Sequence, residues 1–522
     1  MDGRRRLPAA LLALPAIFAG GACASYQDGV SAAETGAILT GLDAQVSAER
    51  AAAVAAVPER APATLPPEEV PGTIDLAGAL KIAARRNRDL SRERESLVLS
   101  ALALVSARND IGPRLSGTVR YALADTDISR RTGASAATLG AAAILPTGAT
   151  ASVTADATQF RRDGTPGDGS ATGSVTAKLS QPLLRGAGYD ASHEALTDAE
   201  REALYDVRQF DLTRQDLALD VQQAYYGIVA QKQVVRNREL KLESLEFLKR
   251  RSERLFDLGR VSEVDKFRAA REYLTAENDL VDARQELAVR LDRFKVLLHV
   301  DTSVKLDVAE AIPSPRKVDL DLLRAVDTAL ANRLDLMTAR DRVDDSERRE
   351  RNRERDVLPD LRLELSATRS DAGARSLRDV LPLERDGYGA GLTLELPLDR
   401  VRERGALRSA RIDVSRARRE LTLAEDRVIL EVRDALRSLR SAESSLLIQE
   451  QITASEEKNV KIARLRFEEG TIGNRDLTDA LSNLADAQDR LVREKTNVET
   501  ARLRLLRAIG TLTINEDGTW RE

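Results

Sequence analysis

Apolar residues recur at every seventh position in two stretches of the chain. The apolar positions are Tyr273, Leu280, Leu287 and Phe294 in the first stretch and Leu484, Leu491, Val498 and Leu505 in the second. Small residues accompany them at Ala276, Ala283, Ala487 and Ala501. A seven-residue apolar period with small neighbours is typical of helices that pack closely in a left-handed coiled coil. The pattern predicts two long coiled-coil helices.

The two stretches are copies of one sequence unit. Gly259 aligns with Gly470 and Asp265 aligns with Asp476, and the alignment continues without a gap through both sets of heptads. A repeat of this length indicates a duplicated structural unit. The predicted segments are a signal peptide at 1–23, a tether at 24–72, a first repeat at 73–310, a second repeat at 311–515 and a tail at 516–522.

Proline-free stretches at residues 190–258 and 401–469 precede the heptads and are expected to be helical. A helix of about 68 residues is about 100 Å long and needs coiled-coil neighbours for its stability. Because the heptads run on from Gly259 and Gly470, each pair of helices should form an antiparallel hairpin. The sequence therefore predicts a mainly α fold with some β structure, built on long antiparallel coiled coils.

In four segments of the chain, apolar residues recur at every second position. The alternating segments are residues 115–123, 175–179, 361–365 and 388–396. Such alternation is typical of transmembrane β-barrel strands, and an ordinary half-buried antiparallel sheet has the same pattern. Pro182 and Pro397 should mark the corners where strands end and helices follow, because proline lacks the N–H that a strand needs.

Residues 139–160 form a further predicted hairpin, which has no counterpart in the second repeat. Two runs of small and apolar residues flank a turn signal at residues 146–148. Two arrangements are open at this point. The hairpin either lengthens the strands of the main sheet or packs outside that sheet.

The N-terminus carries an export signal, with three arginines at residues 4–6, an apolar run at 7–18 and small residues before Cys23. A lone cysteine behind an apolar signal resembles the acceptor of a bacterial lipoprotein, so we favour lipidation of Cys23. The alternative is ordinary cleavage at Ala22–Ala24, which would remove the thiol. No other run reaches the roughly 18 apolar residues of a spanning helix, so a membrane span would have to consist of strands.

Composition excludes several classes of function. The 80 basic and 84 acidic residues are interspersed and give a net charge of −4, so no basic stripe for nucleic acid is present in the sequence. The two histidines, His193 and His299, have no cysteine or acidic residue near them at the spacing of a metal site, and they are expected to be solvated helix residues. The glycines of residues 186–191 match a dinucleotide fingerprint, but the following helix is too long for that fold. We therefore predict no enzyme activity, no cofactor and no metal site.

Asp476 and Asp479 lie three residues apart near the start of a predicted helix. Acidic residues are common there because they interact favourably with the helix dipole. The functional alternative requires symmetric copies of the chain, whose carboxylates would converge in a cation-selective ring.

Taken together, these residues resemble the TolC-like outer membrane factor family. The resemblance covers residues 74–512 and is carried by the export signal, the repeat, Gln181-Pro182-Leu183-Leu184 and the Gly470-to-Ala480 segment. It implies a homotrimer in which four strands per protomer complete a 12-stranded β-barrel in the outer membrane, with an α-helical tunnel in the periplasm. The implied function is the exit duct of a tripartite efflux pump or a type I secretion system, with a lipid anchor at Cys23.

The resemblance also implies roles for particular residues. Asp476 and Asp479 would form the periplasmic constriction. A membrane-fusion adaptor, itself joined to an inner-membrane pump, would dock at the periplasmic tips, which comprise Gly259, Asp265, Gly470 and Gly473. Some family members close the duct with a tyrosine and an arginine, whereas this chain has Phe467 and Ile472 at those places. Asp265 therefore lacks that expected partner. The alternative function is an exported periplasmic coiled-coil scaffold lipoprotein without a pore.

Overall fold

The computed structural model describes residues 72–126, 129–162, 169–310, 320–371, 374, 383–469, 471–515 and 517–521. Cys23, Gly470, the predicted signal peptide and most of the predicted tether lie outside this part of the chain. Within it, most residues are helical, and the strands form one large sheet and two short pairs.

The elements of the first half are β1 (Thr73–Ile74), α1 (Leu76–Arg86), α2 (Arg88–Ile111), β2 (Arg114–Thr126), β3 (Ser129–Ile144), β4 (Thr150–Arg162), β5 (Gly169–Pro182), α3 (Tyr189–Ser192), α4 (Glu194–Asp257), α5 (Glu263–Leu298) and β6 (Asp307–Val308). Those of the second half are α6 (Leu322–Asn332), α7 (Leu334–Asp356), β7 (Asp360–Ser370), β8 (Arg385–Glu395), α8 (Val401–Glu468), α9 (Asn474–Ala508), β9 (Thr513–Ile514) and β10 (Trp520–Arg521). The predicted long helices are confirmed, since α4 has 64 residues and α8 has 68.

A single residue separates the two short helices at the start of the described chain. Asn87 is extended (φ −62°, ψ 129°), and its Oδ1 accepts hydrogen bonds from the N–H groups of Asp89 and Leu90 at 2.9 and 3.0 Å. These bonds satisfy two of the donors that the start of α2 would otherwise leave unpaired. Arg333 is the corresponding linking residue between α6 and α7.

The chain divides into two compact units, and each unit contains parts of both sequence halves. Unit 1 includes Val98–Leu204 and Val343–Ala417, which carry the large sheet and the adjoining helix ends. Unit 2 includes Pro62–Leu97, Tyr205–Arg342 and Arg418–Glu522, which carry most of the helical residues and the turns that join the long helices.

The large sheet of unit 1 has six strands in the order β2-β3-β4-β5-β7-β8, and every neighbouring pair is antiparallel. The sheet of one chain therefore has two strands more than the four per protomer that were predicted for the barrel. The segment predicted as a separate hairpin belongs to β3 and β4, which lie between β2 and β5 in the sheet. The alternation of β3 was hard to see because alanine, glycine and serine occupy both of its faces.

The helices of unit 2 pack around three apolar clusters. One cluster is centred on Tyr225, Phe294 and Leu298, and a second on Leu439, Val498 and Leu505. The third cluster lies near the turns between the long helices and contains Ala276, Leu245, Leu248, Phe467, Leu477 and Ala480. The small residues Ala276, Ala283, Ala487 and Ala501 are all buried, as expected for closely packed helices.

No helix among the described residues is both long and apolar enough to cross a membrane.

The prediction that both histidines are solvated is wrong for His193. This residue ends α3, is buried, and stacks on Tyr189 with ring centroids 4.2 Å apart. The hydroxyl of Ser192 lies 2.8 Å from its Nδ1. Burial is the main reason why the pKa of His193 lies below its usual value. His193 therefore contributes to the packing of the strand-to-helix corner.

Candidate functional site

One face of the six-stranded sheet is apolar from edge to edge. The paired registers place on this face Leu115, Val119 and Tyr121 of β2, Leu139 and Ala141 of β3, Val153 and Ala155 of β4, Val175, Ala177 and Leu179 of β5, Leu361, Leu363 and Leu365 of β7, and Tyr388, Ala390, Leu392 and Leu394 of β8. Exposed fractions reach 86% for Val119, 67% for Leu139 and 71% for Tyr388. An exposed apolar surface that covers a whole sheet marks a contact with lipid or with protein.

The opposite face of the sheet is polar. Hydroxyl and carboxylate groups meet across neighbouring strands: Thr138 donates to Asp156 at 2.7 Å, and the hydroxyls of Thr176 and Thr368 lie 3.1 Å apart. An ion pair joins Lys178 of β5 to Glu364 of β7 at 3.2 Å. Phe160 is an exposed apolar exception on this face. The sheet thus separates an apolar side from a water-compatible side.

Both predicted corner prolines lie at the end of a strand. Pro182 is the last residue of β5, and Pro397 follows β8 by two residues. After Pro182 the chain turns through Gly186 (φ 74°) and Gly188 (φ 92°), where left-handed backbone favours glycine. The glycines of the rejected dinucleotide motif therefore form this corner.

The two predicted constriction acids lie at the start of α9, just after the turn that joins α8 to α9. Asp476 and Asp479 are exposed, whereas Leu477 and Ala480 in the same part of α9 are buried in the third apolar cluster. The N–H of Gly473 donates to Oδ2 of Asp476 at 3.1 Å, so this carboxylate also stabilises the start of α9. Asp479 lies 3.6 Å from Arg475, and both side chains are exposed. That neighbouring cation partly offsets the negative charge of the pair.

The turn between α4 and α5 is built around Gly259, whose φ of 67° favours glycine. Ser262 caps α5 by accepting from the N–H of Asp265 at 3.2 Å, and its hydroxyl donates to Oδ2 of Asp265 at 2.7 Å. Val264 and Phe267 are exposed beside this cap. Asp265 is thus partnered locally.

Similarity to known proteins agrees with these features. Residues 325–511 match the family described as outer membrane efflux protein. No curated protein matches the sequence.

Solved outer membrane channels share the fold of this chain. The CmeC channel of Campylobacter jejuni is 15% identical with a TM-score of 0.64, and the alignment covers 84% of this chain and 85% of that one. VceC of Vibrio cholerae is 15% identical with a TM-score of 0.61 over 83% of this chain and 96% of that one. The MtrE channel of Neisseria gonorrhoeae is 15% identical with a TM-score of 0.61 over 83% of this chain and 88% of that one. The predicted resemblance to the TolC-like family is confirmed.

An apolar and cationic contact lies near the turn between α8 and α9. Phe467 is buried in the third apolar cluster, which Ile472 also contacts. The guanidinium of Arg251, on α4, lies 4.2 Å from the centroid of the Phe467 ring. A cation–π contact of this kind contributes about 0.5–2 kcal/mol. It joins α8 to α4.

Sequence reasoning missed a buried polar cluster between α4 and α9. Asn237 donates to Oδ1 of Asp489 at 2.6 Å, and the exposed fraction of Asp489 is 1%. Oδ2 of Asp489 lies 3.1 Å from Arg238, but without hydrogen-bond geometry. Burial is the main cause that raises the pKa of Asp489, and the charge of nearby Asp486 adds to it. The partners are 252 residues apart in sequence, so no local pattern indicates them.

No group of three or more His, Cys, Asp or Glu residues in the described part of the chain is close enough to hold a metal ion.

Proposed function

We propose that this protein is the outer membrane channel of an efflux pump, through which substrates leave the cell passively across the periplasm and the outer membrane. The observation that carries the proposal is the exposed apolar face of the sheet, because a scaffold in water would gain nothing from it. The efflux-protein domain and the shared fold of solved channels support the same function.

In this proposal the sheet is part of a closed barrel formed by several copies of the chain. An open sheet edge leaves backbone N–H and C=O groups without partners, which lipid does not tolerate. The apolar face then contacts lipid, and the polar face with Asp156, Lys178 and Glu364 lines the water-filled passage.

Helix surfaces in unit 2 support a ring of copies. On α9, Ala485, Asp489 and Val492 share one face and are buried, and Asp489 contacts α4. The repeat aligns Ala485 with Leu274 and Val492 with Val281 on α5, and these two apolar residues are exposed. The corresponding face of α5 therefore lacks a partner within the described chain.

The missing partner is α8 of a neighbouring copy. Asn237 and Lys241, on the α4 face that carries the Asp489 contact, align with Ile448 and Ile452 of α8, and both isoleucines are exposed. An α5 face pairing with α8 of the next copy is a heterologous contact, which generates a ring when the rotation between copies closes. The TolC-like resemblance gives the number of copies as three.

The remaining roles follow from that ring. The two helical turns form the periplasmic tips, where Gly259, Asp265, Gly470 and Gly473 meet a membrane-fusion adaptor that connects to an inner-membrane pump. Asp476 and Asp479 of the three copies form the constriction, with Arg475 reducing its net charge. A lipid on Cys23 adds an anchor to the outer membrane.

Conductance across a planar lipid bilayer tests the proposal. The detergent-purified full-length protein, with its mass checked, should insert as a trimer and give discrete current steps. A protein that remains monomeric in solution and never inserts would contradict the channel and favour the coiled-coil scaffold. Should the wild-type trimer insert but conduct little, Asp476→Ala with Asp479→Ala should raise the current if these acids line the constriction.

A further inference from the structure

The hairpin of β3 and β4 is an integral part of the large sheet. β3 pairs with β2 from Arg114↔Ala142 to Thr126↔Ser129, and β4 pairs with β5 from Thr150↔Ser180 to Arg161↔Gly169. Among the described strands, β2 has no partner other than β3. In this structure the hairpin therefore links β2 to the rest of the sheet.

The hairpin also continues both chemical faces of the sheet. Leu139 pairs with Ala155, which pairs with Val175, so one apolar row crosses β3, β4 and β5. On the other side, Asp156 accepts from Thr138, and the hydroxyls of Thr158 and Thr172 lie 2.6 Å apart. A hairpin lying outside the wall would place the Asp156 carboxylate in lipid, which is unfavourable.

The turn of the hairpin is fixed to the strand-to-helix corner. The Thr147 carbonyl accepts hydrogen bonds from Gln181 Nε2 at 3.1 Å and from the N–H of Gly188 at 3.0 Å. Gly148 has a φ of 86°, and a Cβ there would lie 2.8 Å from the carbonyl oxygen of Gly186. The turn of the hairpin is thus held against the end of β5 and the corner that follows it.

The two edge strands fit each other in neighbouring copies. Six alternating antiparallel strands leave β2 and β8 running in opposite directions, so β8 of one copy can pair antiparallel with β2 of the next. Residues 387–394 of β8 contain no charge and no proline, so this edge lacks the usual protection against pairing. The apolar face extends to both edges, which makes it continuous across such a junction.

We propose that each copy contributes all six strands to the membrane wall, so that three copies close a barrel of eighteen strands through β8–β2 junctions. This inference rests on the proposed trimeric channel. Strands about 4.8 Å apart and tilted by about 40° each occupy about 6 Å of circumference. The backbone diameter is then about 36 Å, compared with about 24 Å for a barrel of twelve strands.

Cryo-electron microscopy of the full-length protein in lipid nanodiscs tests the strand number. The expected image is a three-fold particle with eighteen strands and a wall about 36 Å across. A three-fold particle with twelve strands and the β3–β4 hairpin outside the wall would overturn the eighteen-stranded barrel and leave the proposed channel intact. A two-fold particle with six strands per copy would also overturn it, and the absence of any membrane ring would overturn both proposals.

Deletion of residues 129–162 provides a matched variant. It removes β3 and β4 and leaves β2 and β5 joined by a loop of about eight residues, within the common range for loops. The odd-numbered residues of both remaining strands lie on the apolar face, so β2 can pair with β5 without reversing its faces. The wall of this variant should narrow to about 24 Å. An unchanged diameter would show that the hairpin does not contribute to the wall.

Discussion

A charge placed on either face of β4 should distinguish a membrane wall from an ordinary sheet. Ala155 lies on the apolar face between Leu139 and Val175, whereas the adjacent Thr154 lies on the polar face between Gly140 and Thr176. Ala155→Arg and Thr154→Arg introduce the same side chain one residue apart. Neither substitution removes a large buried group, so the effect of each reports where the new charge is placed.

The magnitude follows from the position of Ala155 near the middle of β4 (Thr150–Arg162). An arginine facing lipid at the bilayer midplane destabilises a barrel by about 2–4 kcal/mol, and the effect falls to about 0–1 kcal/mol near the interfaces. At about 1.4 kcal/mol per factor of ten, 2 kcal/mol per copy lowers the equilibrium constant for insertion about 30-fold. An arginine facing water inside the barrel should change insertion by less than about threefold, the equivalent of a surface substitution.

The assay is assembly from urea into lipid vesicles, with the folded membrane-inserted fraction measured by protease protection of the strands. Ala155→Arg should require much less urea to prevent assembly than wild type, and Thr154→Arg should resemble wild type. Ala155→Leu controls for side-chain size and should also assemble normally. Equal behaviour of the two arginine variants, or a larger defect for Thr154→Arg, would refute the assignment of the apolar face to lipid.

The remaining predictions concern the helices and the N-terminus. Asp489→Ala should destabilise the protein by about 2–3 kcal/mol, because it leaves the buried Asn237 amide without its partner and removes one of the two carboxylates beside Arg238, and matched thermal scans in detergent measure the loss. Asp489→Asn should destabilise the protein less than Asp489→Ala does, and it should flatten the pH dependence of the melting temperature. The raised pKa of Asp489 means that the folded state binds this proton more tightly than the unfolded state does. The stability of the protein should therefore fall as the pH rises from the pKa of Asp489 in the unfolded state through its pKa in the folded state. An identical pH profile for wild type and Asp489→Asn would contradict this. Asp476→Asn with Asp479→Asn should reduce cation selectivity and weaken block by multivalent cations, and an unchanged reversal potential in a salt gradient would count against a carboxylate ring. Cys23→Ser should abolish incorporation of labelled palmitate, and persistent labelling would exclude this residue as the lipid acceptor.

The long helices were predictable because their signals are local and repeated. The heptads that include Leu280 and Phe294, with Ala276 beside them, continue for several turns, and all three residues are buried. The strand ends near Pro182 and Pro397 were visible for a similar reason, since a proline limits a strand wherever the chain folds.

The strand number was not predictable from the hydrophobic period alone. β3 places alanine, glycine or serine at most positions of both faces, so its alternation carries little hydrophobic contrast. Its place in the sheet depends on pairing with β2 and β4, which only the folded chain defines.

The candidate site was predictable in its chemistry and not in its contacts. The acidic pair stood out in the sequence, but the cap that Asp476 forms with Gly473 depends on the geometry of the turn. The contact of Asn237 with Asp489 and that of Arg251 with Phe467 join distant parts of the chain, and no local pattern specifies them.

The central claim is that the six-stranded sheet is a membrane wall with one face toward lipid and the other toward water. Trp520 is the only tryptophan, so Trp520→Phe provides a background for single tryptophans at Val175, on the apolar face, and at Ser174, on the polar face. Their fluorescence in vesicles that contain brominated lipid is the most direct measurement. A membrane wall should give strong quenching of Val175→Trp and little quenching of Ser174→Trp. Equal quenching at the two positions, or stronger quenching of Ser174→Trp, would contradict it.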